Sequence, residues 1–308
     1  VGDMDSLGSS IGIYSIARSR GKKSYIVLNN VNHALKNMYE RMKKEENHYI
    51  ESIITTEKAL ELADQNSLII VLDTHRKSYT EAPELIDKID KVVLIDHHRR
   101  SEEYIENNLL DYIEPYASST CELVAELIQY MEDHIKLTKF EADALMAGIV
   151  VDTNSFTFKT GVRTFEAAAF LKRRGADNVE VKELFNESIE FMKKKTEIIE
   201  RSEIVFDDVA VSYIDETTED SNVAAAQCAD ELLTIKDVNM SFVLVRNKEY
   251  INISGRSVGD MNVQVILERL GGGGHLNMAG AQVQTDDMEE AKARLYEAIA
   301  QYKKEIKP

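Results

Sequence analysis

Along the chain, short unbroken apolar runs alternate with stretches of helical spacing. SYIVLN (24–29), NSLIIVLDTH (66–75) and KVVLIDHH (91–98) are the runs of the first half. Runs of this length, bounded by polar turns, suit strands buried on both faces of a sheet. Ahead of them, Leu7, Ile11, Tyr14 and Ala17 keep helical spacing, and the pattern stops at Gly21, a natural C-terminal cap. LTKFEADALMAGIVVDTNSF (137–156) reads as a helix leading into a fourth run that ends at Asp152. Strands alternating with helices predict an α/β fold built on a parallel sheet. From residue 160 the pattern is helical through 165–175 and along a charged stretch at 181–202. Then VAVSYID (209–215), MSFVLVRN (240–247) and YINISGRS (250–257) alternate like strands, followed by helices around GGGGHLNMAGAQV. We therefore expect two domains, 1–190 and a smaller one at 191–308.

Composition narrows the function classes. No apolar run approaches the roughly 18 to 20 residues of a membrane helix, and no signal-peptide pattern opens the chain. Cys121 and Cys228 form no CxxC pair, which fits structural thiols in a reducing cytoplasm. With 37 basic against 54 acidic residues, the formal charge is −17. That argues against long nucleic acid as a partner, which wants a basic footprint. A small anionic substrate stays admissible, because metal ions and backbone amides can make one site locally positive.

The chemistry gathers at run ends. Asp73, Asp96 and Asp152 each close an apolar run, and ligands of open α/β sheets bind outside the carboxyl ends of the strands. Asp3 and Asp5 precede the first helix, where an acid serves equally as cap or as metal ligand. His97 and His98 follow Asp96 directly, so one can ligate metal while the other faces substrate. Carboxylates clustered without cations would repel one another. Mixed Asp and His donors suit a borderline divalent ion such as Mn²⁺, with enough ligands for two. Gly271–Gly274 offer consecutive backbone amides for an anion, His275 follows them, and Arg256 could grip phosphate with two prongs. Ser119 and Glu122 fit a capping box. His75 is expected to support the ligands rather than join them.

In order, DMD (3–5), LDT (72–74), DHH (96–98), VDT (151–153), SGR (254–256) and GGGGH (271–275) resemble the motifs of the DHH–DHHA1 phosphoesterases. The resemblance implies a parallel-sheet DHH domain, a smaller mixed-sheet DHHA1 domain, and an active site in the cleft between them. It implies two Mn²⁺ ions, with Asp3 on one, Asp5 on the other and Asp73 bridging. His97 and Asp152 would complete the second site, Asp96 would tune its neighbours, and His98 would face the scissile phosphate. Arg256, Gly272, Gly273, Gly274 and His275 would hold the substrate. DMDSLGSSIG and ASSTCELV look most like the membrane-anchored cyclic-di-AMP phosphodiesterases of this family. The implied reaction is hydrolysis of cyclic di-AMP to pApA by a metal-bridging hydroxide. An oligoribonuclease and pAp phosphatase, or a weakly catalytic cyclic-dinucleotide-binding module, are the alternatives. The family's first histidine would fall before Val1. The chain is thus expected to be a cytoplasmic fragment of a membrane-anchored protein, without membrane contact of its own and with homodimerisation open.

Overall fold

The computed structural model describes residues 2–45, 47–101, 103–131, 135–215, 217–218 and 220–306, with Asn47 and His275 described by backbone alone. The chain folds as two compact units, residues 1–186 and 187–308. The first runs α1 (Met4–Ser19), β1 (Ile26–Val27), α2 (Lys36–Met42), α3 (Asn47–Ser52), β2 (Ile53–Ile54) and α4 (Thr56–Leu62). It continues with β3 (Ile69–Leu72), α5 (Pro83–Lys88), β4 (Val92–Asp96), β5 (Leu110–Ile113), α6 (Thr120–Tyr130), α7 (Lys139–Asp152), α8 (Val162–Arg173) and α9 (Asn178–Glu183).

Strands β3, β4 and β5 form a parallel sheet, and β1 pairs with β2 in a separate parallel ribbon. Successive residues of β4 point to opposite faces. Val93 and Ile95 pack with Leu123 and Leu127 of α6 and Ile13 of α1, while Val92 and Leu94 meet Val71, Ile86 and Ile105. Both faces are covered, as the apolar runs require.

The largest core lies around α1 and α7, and glycines set how closely they approach. A Cβ on Gly8 would sit 2.5 Å from the Ala144 carbonyl oxygen of α7. A Cβ on Gly148 would sit 2.3 Å from Cys121 Sγ and 2.9 Å from Asp5 Oδ1. These helices therefore touch backbone to backbone beside Asp5.

Two expectations need correction. Asp152 does not end a strand: 139–152 is one helix, opened by a capping box of Thr138 and Glu141. Every residue from Phe140 to Ile149 is buried. A helix buried along most of its length loses the polar face that would mark its period, and its last turn, Ile149, Val150 and Val151, is β-branched, so it reads like a strand. The stretch 181–202 is not one helix either. Helix α9 stops at Glu183, and α10 (Ile189–Glu200) starts anew where Ser188 Oγ accepts the Phe191 amide. Ser188 supplies the cap that restarts the chain.

The second unit adds β6 (Glu203–Val205), β7 (Val209–Ile214), α11 (Ser221–Leu232), β8 (Met240–Arg246), β9 (Ile251–Ser257), α12 (Val263–Glu268), β10 (Gly273–His275), β11 (Met278–Val283) and α13 (Met288–Ile306). Its six-stranded sheet has the order β10-β11-β9-β8-β7-β6. It is mixed: β7 and β8 run parallel, and the other neighbours antiparallel. Helices α10 and α11 cover one face, α12 and α13 the other.

Substituting Gly8→Ala tests the α1–α7 approach. Alanine favours a helix over glycine by about 1 kcal/mol, but overpacking against backbone costs about 1–3 kcal/mol. We expect the midpoint of urea denaturation to fall. An unchanged or higher midpoint would contradict the close packing.

Candidate metal centre

Four segments of the first unit supply the polar cluster, beginning with α1. Asp3 is its N-cap: its Oδ1 accepts the Ser6 amide at 2.9 Å, and Ser6 Oγ accepts the Asp3 amide at 2.8 Å. The carboxylate thus caps the helix while staying exposed. Asp5, in the first turn of the helix, is fully buried. Its two oxygens accept the first amides of α6, Thr120 at 2.7 Å and Cys121 at 2.8 Å. The positive end of α6 favours this anion. Burial, then the charge of Asp152, nevertheless push Asp5 up to about 6, against His97 and the Cys121 contacts.

Asp73 follows β3 with φ of 62°, a left-handed conformation that aspartate adopts more readily than bulkier residues but still rarely. Thr120 Oγ1 donates to its Oδ1 at 3.2 Å. Burial raises Asp73 to about 9, with Asp5 and Asp3 adding to the rise and His97 opposing it.

Strand β4 ends in Asp96, and His97 and His98 follow it directly. Asp96 is fully buried and engages His75 Nδ1 at 2.6 Å and His98 Nδ1 at 2.8 Å. Burial alone would raise it; the His98 and His75 hydrogen bonds outweigh that and hold it at about 2. His97 faces the other acids. Its Nε2 lies 3.0 Å from Asp152, 3.5 Å from Asp73 and 3.9 Å from Asp5. Burial lowers its basicity, yet Asp152 and Asp73 lift it to about 11. Asp152 is the last residue of α7, where the helix dipole disfavours an anion.

The donors of Asp5, His97 and Asp152 fall within 4.8 Å of one another, as do those of Asp73, His97 and His98. His97 is buried, and neither of its ring nitrogens has an aligned hydrogen-bond partner among the described residues. His97 Nε2 faces three carboxylates, the nearest at 3.0 Å, without an aligned hydrogen bond to any of them, an arrangement that a cation held among them would resolve. The residues fit a divalent metal: carboxylate and imidazole are its usual donors.

The structure brings Asp5, Asp73, His97, His98 and Asp152 together; Asp3 lies outside both groups of possible ligands, with its charge near enough to act on Asp73. Ser119 caps α6 as expected, but Glu122 turns to Ser118 Oγ at 2.5 Å instead of closing a box. Thr120 was missed, although it bridges Asp5 and Asp73; its place in a polar cap segment was the available signal.

In the second unit, Arg256 Nε donates to Asp230 Oδ1 at 2.9 Å. The glycine run narrows as an anion cradle. The Gly271 and Gly272 amides cap α12 through the Glu268 and Leu267 carbonyls, leaving Gly273 and Gly274 in the β10–β11 hairpin. The side chain of His275 lies outside the described atoms.

A profile described as the DHH family, N-terminal domain, matches residues 1–149, and one for the DHHA1 domain matches 207–303. The chain belongs to the DHH–DHHA1 family. This DHH–DHHA1 chain is 46% identical over 309 residues to "Cyclic-di-AMP phosphodiesterase GdpP" of Geobacillus thermodenitrificans, covering 99% of the chain and 47% of that relative. It is 42% identical over 303 residues to "Cyclic-di-AMP phosphodiesterase PdeA" of Listeria monocytogenes, covering 97% of the chain and 46% of the relative. The chain thus spans about half the length of these curated relatives. The crystal structure of an exopolyphosphatase-related protein from Bacteroides fragilis superposes with a TM-score of 0.83 at 25% identity, covering 100% of this chain and 91% of that one. Among the described residues, no helix is long and apolar enough to cross a membrane.

Asp73→Asn separates fold from metal binding. Asparagine tolerates the left-handed backbone at least as well as aspartate. We expect the metal-free melting temperature to stay within about 2 °C of wild type, a shift of well under 1 kcal/mol. Added Mn²⁺ should stabilise wild type and not the variant, read by differential scanning fluorimetry. Equal stabilisation of both would remove Asp73 from the ligand set.

Proposed function

We propose that this chain hydrolyses cyclic di-AMP to linear pApA, using two Mn²⁺ ions. The observation that carries the reading is the largely buried cluster of Asp5, Asp73, His97 and Asp152, in which the His97 ring has no aligned hydrogen-bond partner among the described residues. The relatives named as cyclic-di-AMP phosphodiesterases support the substrate. Two ions held by these residues, with Asp3 alongside, would supply positive charge to the phosphate oxygens and lower the pKa of the attacking water.

The chain's own residues prepare this chemistry. Asp5 keeps its carboxylate fixed by two backbone amides, so it costs little to reorganise when charge develops. His98 is half-exposed, unlike His97, and can hydrogen-bond the phosphate or the leaving 3′-oxygen. Arg256, Gly272, Gly273, Gly274 and His275 are assigned to gripping the substrate, with domain limits of 1–190 and 191–308. In the whole protein this part would face the cytoplasm from a membrane anchor.

Incubation with Mn²⁺ and cyclic di-AMP, pApA or pAp in parallel, with products separated by chromatography, tests the assignment. We expect cyclic di-AMP to be consumed while pApA accumulates. Preferred release of AMP from pApA or pAp would overturn it in favour of an oligoribonuclease and pAp phosphatase. Tight binding of cyclic di-AMP without turnover would indicate a sensor. His98→Ala should lower kcat by about 10²-fold or more while bound Mn²⁺ stays unchanged, measured by atomic emission. Parallel loss of metal would make His98 a ligand instead.

A further inference from the structure

We infer that His75 is a positioning residue that fixes the orientation and tautomer of His98 through Asp96. The inference rests on the proposed role of His98 at the phosphate. His75 is 2% exposed, and both of its ring nitrogens are engaged. The Ser101 backbone N–H donates to His75 Nε2 at 3.0 Å. A backbone amide can only donate, so Nε2 carries the lone pair and the ring proton sits on Nδ1. That proton is donated to Asp96 Oδ2 at 2.6 Å. The other oxygen, Oδ1, accepts the His98 amide at 3.1 Å and His98 Nδ1 at 2.8 Å. His98 therefore holds its proton on Nδ1 and presents Nε2 as the nitrogen left for substrate.

The line Ser101–His75–Asp96–His98 starts at a backbone group and ends at a half-exposed imidazole. Its first members are held rigidly. The His75 carbonyl accepts the Ile105 amide at 2.9 Å, and the Tyr104 ring packs on the imidazole with centroids 5.5 Å apart. An acid that holds a histidine in one tautomer is a recurrent device of catalytic sites. Here the acid is itself held from behind by a second histidine. Without His75, Asp96 Oδ2 would be left buried and unpaired, and the carboxylate would turn to find another partner.

Two substitutions separate positioning from bulk. In His75→Asn the amide nitrogen can occupy the place of Nδ1 and still donate to Asp96. In His75→Gln the amide lies at the place of Nε2, and that donor is lost. We expect His75→Gln to lower kcat for cyclic di-AMP by about 10- to 100-fold, with KM and bound Mn²⁺ unchanged, and His75→Asn to restore most of the loss. In the Mg²⁺-loaded proteins, ¹⁵N shifts of the His98 ring should report the Nδ1–H tautomer for wild type and His75→Asn, and a mixture for His75→Gln. A wild-type tautomer in His75→Gln would overturn the inference, as would a loss of kcat that tracks loss of metal. If wild type fails to turn over cyclic di-AMP, the proposed function falls, and the His98 ring shifts still decide the role of His75.

Discussion

The structure of the first unit hinges on one carboxylate. Asp5 is buried with His97 Nε2 3.9 Å away, and the first two amides of α6 hold it. That contact joins α1 to α6 across more than a hundred residues of sequence. It works only because Gly8 and Gly148 let α1 and α7 approach to backbone distance, which also brings Asp152 beside His97. The cluster is therefore a product of helix packing as much as of strand ends. Removing the glycines would open the very gap that the ligands must bridge.

Charge explains why the remaining groups sit where they do. Asp5, Asp73 and His97 all stand well away from their ordinary protonation behaviour, because each is buried among the others. Asp73 adopts a left-handed backbone and Asp152 sits at the wrong end of a helix dipole. Local costs of this kind persist where a site demands them. Asp96 shows the contrast: two histidine partners satisfy it, and it stays ionised far below neutral pH. At the end of β4, one group, Asp96, is thus satisfied by protein, while the next residue, His97, faces three carboxylates without an aligned hydrogen bond.

Much of this was legible in the sequence, for identifiable reasons. Asp73 and the Asp96–His97–His98 run end uninterrupted strand patterns, so their convergence followed from the parallel sheet. Asp152 was placed in the cluster but on the wrong element, since a helix buried along most of its length has no polar face to betray it. The short edge strand β5 and helix α11 went unassigned. The first has exposed Leu110 and Asp111 in place of an apolar run, and the second mixes alanines with polar residues and carries little periodic signal. The glycine run read as an open cradle because sequence alone does not show that α12 takes two of its amides. His75 was expected to support the ligands, but its contacts with Asp96 and Ser101, 21 and 26 residues along the chain, are set only by the fold.

The account stands on the claim that the buried acids and His97 are arranged around divalent cations. The most direct test is an anomalous difference map at the manganese edge from crystals of this chain grown with Mn²⁺. The account predicts peaks among Asp5, Asp73, His97 and Asp152, with His97 Nε2 at about 2.0–2.2 Å from an ion, the usual metal–imidazole distance. A map without peaks there, and with His97 hydrogen-bonded to one of its carboxylates, would contradict it.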